Sequence, residues 1–177
     1  MTIALGEYML RPYEDGDIAT IPRYANNRKI WKNLTDIFPH PYTEQNAREW
    51  LEYTKTHPQE INLAIVAPDG VIGGIGVVPG TGVFCKSGSI GYWLGEPFWG
   101  KGLMTQAARA VTAHVFAQTD LARLSACVYE TNPASMRVLE KVGYTFESRL
   151  RKAIFKDGAL LDEMVYAMLR NEWEQRQ

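Results

Sequence analysis

The stretch from Ile90 to Arg109 constrains the fold of this chain more than any other. The apolar run Ile90–Leu94 leads into a glycine-containing loop. The residues that follow directly, from near Lys101 to about Phe116, have the pattern of a helix. The first N–H groups of a helix lack intrahelical acceptors and lie at the positive end of its dipole, while glycines let the backbone approach an anion. The stretch therefore predicts a phosphate-binding junction of strand, loop and helix.

Two common nucleotide-binding patterns fit this stretch incompletely. Gly95–Lys101 matches a P-loop up to its last position, where Gly102 replaces the Ser or Thr hydroxyl that binds magnesium. Gly100–Thr105 matches a dinucleotide fingerprint, but Thr105 replaces the third glycine, and too little chain follows to build a doubly wound sheet. Both patterns are disfavoured, and a nucleotide kinase is kept only as a third hypothesis.

Three motifs in this order resemble one family. The chain has Ile-Gly-Tyr-Trp-Leu at Ile90–Leu94, Trp-Gly-Lys-Gly at Trp99–Gly102 and Asn-x-x-Ser-x-x-x-x-Glu-Lys-x-Gly-Tyr at Asn132–Tyr144. Together they resemble the GNAT superfamily of N-acetyltransferases and, within it, the RimJ/RimL-like branch of ribosomal-protein-alanine acetyltransferase type. Pro97 departs from the Gln or Arg that usually opens the pyrophosphate loop of this family.

Composition narrows the class of protein. A length of 177 residues with 46% apolar and 22% charged residues favours a single globular domain over residues 1–177. A net charge of −1 disfavours a general nucleic-acid binder. The sequence shows neither a signal-peptide pattern nor a run of about 18 apolar residues, so we expect a cytoplasmic protein without a membrane partner. The scattered histidines and the two cysteines, Cys85 and Cys127, predict no metal site and free thiols that are buried or incidental.

The pattern of elements predicts an α+β fold. Apolar runs predict strands at Tyr8–Arg11, Ile61–Ala67, Val71–Val78, Gly88–Gly95, Leu124–Tyr129, Tyr144–Phe155 and Ala159–Leu169. Capping signals and apolar stripes predict helices from about Glu14 to Ala25, over Arg28–Leu34, from Thr43 to before Pro58, over Lys101–Ala117 and from Asn132 to Gly143. Because a helix separates the fourth and fifth strands, we expect those two to be parallel. The resemblance implies a GNAT-like domain with a mixed, mostly antiparallel sheet, a V-shaped splay between the two central parallel strands, and helices on both faces.

The resemblance also implies that acetyl-CoA is the cosubstrate. Its pantetheine would pair with the backbone around Trp93 and Leu94, and its sulfur region would lie near Asn132 and Ser135. Its pyrophosphate would rest on the glycine loop and the first helical turn: Gly100, Lys101, Gly102, Leu103, Met104 and Thr105. Asn132 and Ser135 have a structural alternative as an ordinary helix cap and first-turn residue.

The acid and base cannot be carried over from the family. An attacking amine must first lose a proton, since its pKa is about 10.4 for lysine and about 8 for an α-amine. Related sequences have a Glu where this chain has Ser89, and many have a Tyr where it has Leu139. The remaining candidates for accepting the proton through water are Ser89, Tyr92, Glu130 and the loop of His40, and Ser135 is the catalytic candidate at the CoA sulfur.

The first functional hypothesis is an acyl-CoA-dependent N-acyltransferase that moves acetyl from acetyl-CoA to a primary amine. A protein N-terminal α-amine is the favoured acceptor and a small amine the second choice. The resemblance places Arg28, Trp31, Phe38, His40 and Tyr42 over the acceptor. The alternative is a catalytically silent CoA-binding sensor or interaction module, because the usual Glu and Tyr are absent. Either protein could be a monomer or a homodimer.

Overall fold

The computed structural model describes residues 2–176. Its strands are β1 (Ile3–Leu5), β2 (Tyr8–Pro12), β3 (Ile61–Ala67), β4 (Gly70–Pro79), β5 (Ser87–Leu94), β6 (Arg123–Tyr129), β7 (Thr145–Lys156) and β8 (Ala159–Leu169). Its helices are α1 (Ile21–Ala25), α2 (Arg28–Trp31), α3 (Glu44–Thr56), α4 (Leu103–Gln118), α5 (Pro133–Val142) and α6 (Arg170–Glu174). Within the described residues, no helix combines the length and apolarity required to cross a membrane.

The eight strands form one mixed sheet in the order β1-β2-β3-β4-β5-β6-β8-β7. β5 and β6 are parallel over three residue pairs, from Ser87 opposite Arg123 to Ser89 opposite Ser125. β6 pairs antiparallel with β8 along its whole length, and β7 pairs antiparallel with β8. The predicted α+β class, the mostly antiparallel sheet and the single parallel pair are therefore confirmed.

The described residues form two compact units. The first contains the residues up to Gly76 together with Tyr92–Leu103, and the second contains Val77–Gly91 together with the residues from Met104 onward. The prediction of one domain over residues 1–177 stays a prediction.

The first unit is built around α1, α3 and the adjoining parts of β3 and β4. Its buried residues are Ile21, Ala25, Tyr42, Ala47, Leu51, Ala64 and Val71, with Tyr13, Ile18, Phe38, Trp50, Val66 and Trp93 packed against them. α3 begins where the sequence predicts, since the Thr43 hydroxyl accepts the Asn46 N–H at 3.3 Å and the Asn46 side-chain oxygen accepts the Thr43 N–H at 2.9 Å. Gly70 has a φ of 125° and supplies the predicted turn between β3 and β4.

The second unit buries one face of α4 and the inner faces of β6 and β8. Leu124, Val111, Val115, Phe116, Leu139 and Met168 are almost fully buried. The closing hairpin turns at Asp157 and Gly158, which both have positive φ, as a two-residue turn matched to the twist of the strands requires. The predicted hairpin is confirmed.

Several predicted boundaries are wrong for local reasons. The helix expected from Glu14 to Ala25 is a 3-10 turn over Asp15–Ala19 followed by α1, because Pro22 has no N–H to continue a helix through it. α2 ends at Trp31 rather than Leu34. α4 starts at Leu103 rather than Lys101, since Gly102 has a φ of 77°, outside the helical region. β1 and α6 were not predicted.

Candidate active site

The segment between β5 and α4 has the geometry expected of an anion-binding junction. β5 ends at Leu94, a 3-10 turn covers Glu96–Phe98, and α4 begins at Leu103. Gly100 and Gly102 have φ of 75° and 77°, and a Cβ on either would meet no atom within 4 Å. The backbone conformation therefore requires glycine there, while the space beside both residues is open to an approaching group.

The start of α4 supplies the donors. Its first N–H groups have no intrahelical acceptors and lie at the positive end of the helix dipole. The exposed Lys101 ammonium lies 5.5 Å from the centroid of the Phe98 ring and adds positive charge beside the loop. The glycine loop thus has the backbone conformation, open space and charge expected of an anion-binding site, and pyrophosphate binding by Gly100–Thr105 stays a prediction.

Contacts inside the first unit hold the 3-10 turn that precedes the glycines. The Glu96 carboxylate pairs with Lys29 and accepts the Asn27 side-chain N–H at 2.9 Å, and these contacts lower the pKa of Glu96. Phe98 packs edge-on against Tyr8 and Tyr24, with ring centroids 6.2 and 5.3 Å apart. None of these contacts was predicted, because Asn27 and Lys29 are 69 and 67 residues from Glu96 in the sequence.

The end of β5 lies in an aromatic cluster of the first unit. Leu94 is buried, and the half-buried Trp93 ring lies 5.7 Å from Phe38, which in turn lies 4.9 Å from Tyr42. Burial and the nearby Glu49 raise the pKa of Tyr42 to about 12, so its hydroxyl is neutral near pH 7. The structure therefore brings three predicted residues, Trp93, Phe38 and Tyr42, together.

Tyr13 is a member of this cluster that sequence reasoning missed. Its oxygen accepts hydrogen bonds from the indole N–H groups of Trp50 and Trp93, and burial raises its pKa far above the ordinary value. Gly74 makes this arrangement possible, since a Cβ there would lie 2.3 Å from the Tyr13 oxygen and 2.7 Å from Trp93 Nε1. The sequence carries no signal for it beyond the glycines in the strand pattern.

The other predicted acceptor residues form a second, more exposed group of the first unit. Trp31 lies 5.7 Å from the ring of His40, and the Arg28 guanidinium lies 5.7 Å from the centroid of the Trp31 ring. Tyr92, a candidate for proton transfer, is half-buried in the same unit. The predicted roles of Arg28, Trp31, His40 and Tyr92 stay predictions.

In the second unit, Asn132 caps α5 as predicted. Its side-chain oxygen accepts the Ser135 N–H at 3.2 Å, and Pro133 occupies the first turn. Ser135 is half-buried, and Leu139 is fully buried in the core. Cofactor contact by Asn132 and Ser135 stays a prediction, as does a role for Ser89, which is exposed on β5.

Glu130 is engaged in an ionic network of the second unit. Its carboxylate accepts the Asp162 N–H at 2.9 Å and lies 3.7 Å from Arg149 Nη2. Asp162 in turn accepts the Lys152 N–H at 2.8 Å and pairs with Arg149. These contacts give Glu130 a structural role at the end of β6, and its role as a base stays a prediction.

The Asp162 interactions predict a pH-dependent stability. The Lys152 N–H and the Arg149 guanidinium lower the pKa of Asp162, so the folded state favours the carboxylate. That stabilisation is present above the unfolded pKa of about 3.9 and is lost as the pH falls towards the lower folded value. We expect Asp162→Asn to have a lower Tm than the wild type at pH 7. Near pH 3 the Tm values of the two proteins should approach each other. Thermal unfolding from pH 7 to pH 3 measures this, and an equal difference at both ends contradicts it.

The two cysteines are free and exposed, which corrects the expectation that they could be buried. Desolvation and the neighbouring Glu163 raise the pKa of the Cys127 thiol and disfavour its thiolate. Neither cysteine contributes a nucleophile to the segments described above.

Comparison with known proteins agrees with this geometry. Residues 8–145 match the model of the acetyltransferase (GNAT) domain family. The probable N-acetyltransferase YjcK of Bacillus subtilis is 33% identical over 173 residues, covering 94% of this chain and 96% of the relative. The SPbeta prophage-derived N-acetyltransferase YokL of the same organism is 32% identical over 148 residues, covering 82% and 81%.

A solved structure supports the fold. RimL, a ribosomal L7/L12 alpha-N-protein acetyltransferase in complex with coenzyme A, superposes with a TM-score of 0.85 over 97% of this chain and 99% of its own, at 21% identity. The family match covers most of the chain, and the full-length relatives are named as N-acetyltransferases. The chain therefore belongs to the GNAT acetyltransferase family and is an N-acetyltransferase.

Proposed function

We propose that this protein transfers the acetyl group of acetyl-CoA to a primary amine, with a protein N-terminal α-amine favoured and a small amine second. The observation that carries the proposal is the pair of positive-φ glycines, Gly100 and Gly102, directly before the N-terminus of α4. The family relationship disfavours the silent CoA-binding alternative, and the α-amine preference rests on the RimJ/RimL resemblance. The single domain, the cytoplasmic location and a monomeric or homodimeric state belong to the same proposal.

The chain would contribute backbone groups to cosubstrate binding. The N–H groups from Gly100 to Thr105 would bind the pyrophosphate, and the backbone at Trp93 and Leu94 would pair with the pantetheine. The Leu94 N–H would donate to the oxygen that becomes negative when the thioester is attacked. Asn132 and Ser135 would contact the sulfur region in this proposal.

The reaction would proceed by direct attack. The amine nitrogen bonds to the thioester carbonyl carbon, the C–S bond breaks, the amine gives up a proton and the thiolate takes one up. Ser89, Tyr92, Glu130 and His40 remain the candidates for accepting the proton through water. We rank Glu130 last of these, since both of its oxygens have protein partners.

The acceptor side is aromatic in this proposal. Phe38, Tyr42 and Trp93 pack together, and the neutral Tyr42 adds no charge to them. Aromatic faces attract ammonium groups and also pack against apolar side chains, so this cluster fits an amine acceptor of either kind. The preference for a peptide α-amine over a polyamine rests on the RimJ/RimL resemblance.

Acetyl transfer to three acceptors tests the proposal. The first is a peptide with a free N-terminus and no lysine, the second an Nα-blocked peptide with one lysine, and the third spermidine. We expect mass spectrometry to find acetylation chiefly of the first peptide. Acetylation of spermidine or lysine alone would contradict the α-amine preference. CoA binding without transfer to any acceptor would favour the silent alternative.

A further inference from the structure

The indole N–H of Trp99 points towards the backbone although the residue is 44% exposed. Its Nε1–H donates to the carbonyl oxygen of Leu94 at 2.7 Å, across the loop between β5 and the glycines. An indole this exposed could donate to water instead, so burial alone does not dictate the direction of its N–H. The hydrogen bond is therefore the distinctive contact of this side chain.

The same peptide group is held at its other end. The Gly95 N–H, which shares a plane with the Leu94 carbonyl, donates to the Ile72 carbonyl of β4 at 2.7 Å. One planar unit is thus bonded by Trp99 on one side and by a neighbouring strand on the other. These bonds fix the orientation of the peptide that directly follows the Leu94 N–H.

Trp99 is also the residue before the first glycine of the loop. The Phe98 N–H donates to the backbone carbonyl of Gly95 at 3.0 Å, and the Trp99 N–H donates to the backbone carbonyl of Glu96 at 3.1 Å. These two hydrogen bonds close the 3-10 turn. The indole bond then ties the end of this turn back to the end of β5. The start of the glycine loop and the end of β5 consequently have a fixed separation.

We propose that Trp99 is a positioning residue that sets the spacing between two backbone anchors for one acyl-CoA molecule. The anchors are the end of β5 at Leu94, for the thioester and pantetheine, and the loop at Gly100–Gly102, for the pyrophosphate. This inference rests on the proposed function. Trp99 acts through the Leu94–Gly95 peptide and the 3-10 turn.

Spacing between anchors affects a long ligand more than its fragments. When two sites bind one molecule, the second contact is intramolecular, and its contribution depends on whether both sites can be reached at once. A variable distance between the anchors should lower the affinity for intact CoA. The nucleotide half and the pantetheine half should each still bind their own anchor with unchanged affinity. Uniform loss of structure would weaken all of these ligands.

Calorimetry with three ligands tests the inference. The ligands are CoA, its nucleotide half (adenosine 3′-phosphate 5′-diphosphate) and pantetheine, titrated into wild type, Trp99→Phe, and protein carrying β-(3-benzothienyl)alanine at position 99. The last side chain keeps the bicyclic shape and has a sulfur atom, which cannot donate, in place of the N–H. Trp173→Phe, which removes an indole from α6, is the matched control.

We expect both changes at position 99 to weaken CoA binding about tenfold, the effect of one lost hydrogen bond, with fragment affinities within about twofold of wild type. The KM for acetyl-CoA should rise by about the same factor as the Kd for CoA, and the KM for the acceptor peptide should stay unchanged. Trp173→Phe should bind all three ligands as wild type does.

Two results would overturn the inference. Unchanged CoA affinity with the benzothienyl side chain would show that the N–H has no role, and equal losses for CoA and both fragments would show a general structural role. Failure of the wild type to bind CoA would instead contradict the proposed function, so the two failures are distinguishable.

Discussion

Gly102→Val is expected to weaken acetyl-CoA binding about a hundredfold while the protein stays folded, because at least two charge-assisted hydrogen bonds from the loop would be misdirected. Gly102 has a φ of 77°, a conformation that a β-branched residue adopts only at a cost of about 1–2 kcal/mol. The added Cβ itself has room, since nothing lies within 4 Å of it. Relief of the strain would rotate the peptides whose N–H groups we propose to bind the pyrophosphate. Calorimetry with acetyl-CoA measures the loss.

Gly6→Val is the matched control for this substitution. Gly6 lies in the turn between β1 and β2, has a φ of 68°, and likewise has no atom within 4 Å of a Cβ. Both variants should therefore lose a similar, small amount of stability, and only Gly102→Val should lose affinity. Equal acetyl-CoA binding by the two variants would contradict the assignment of the glycine loop.

Gly74→Ala is expected to have the largest effect on stability of the substitutions considered, lowering the free energy of unfolding by about 3 kcal/mol. Its Cβ would lie 2.3 Å from the Tyr13 oxygen and 2.7 Å from Trp93 Nε1, so two aromatic side chains would have to move. Both are packed in the first unit, and Tyr13 also contacts Trp50 edge-on at 5.9 Å. The Tm should fall by about 6–12 °C.

A double substitution identifies the cause. Tyr13→Phe removes the oxygen that the new methyl group meets first, so Gly74→Ala should cost clearly less in that background. Gly91→Ala, a glycine of β5 with no atom within 4 Å of a Cβ, is the control and should leave the Tm nearly unchanged. A Gly74→Ala protein that melts like wild type would contradict the close packing of Tyr13 and Trp93.

The sequence predicts those parts of the fold whose causes are local. The strand, glycine loop and helix around Gly100 follow from residues next to one another, as do the Asn132 cap and the turn at Asp157 and Gly158. Helix boundaries were wrong where a single residue decides them, as Pro22 does for α1. β1 has three residues and α6 has Leu169 at its N-cap, so neither carries a strong pattern.

The parts of the site that sequence reasoning missed depend on distant residues. Tyr13 can contact Trp93 because Gly74, which has no side chain, lies beside both. Glu96 contacts Asn27 and Lys29 only in the folded chain, since those residues are far from it in the sequence. The Trp99 bond to Leu94 spans five residues, but no rule of spacing predicts the direction of an indole in an irregular loop. Motif resemblance located the loop, and only the folded structure identifies the side chains that hold it.

Binding of acetyl-CoA to the wild-type protein tests the central claim most directly. Calorimetry should give one site per chain, and a concentration about 100 times the Kd should stabilise the fold by about 2.7 kcal/mol, raising the Tm by about 5–11 °C. Free thiol should then appear when a peptide with a free N-terminus is added. Absence of binding at about 1 mM acetyl-CoA, or stabilisation by Mg-ATP in its place, would contradict the account.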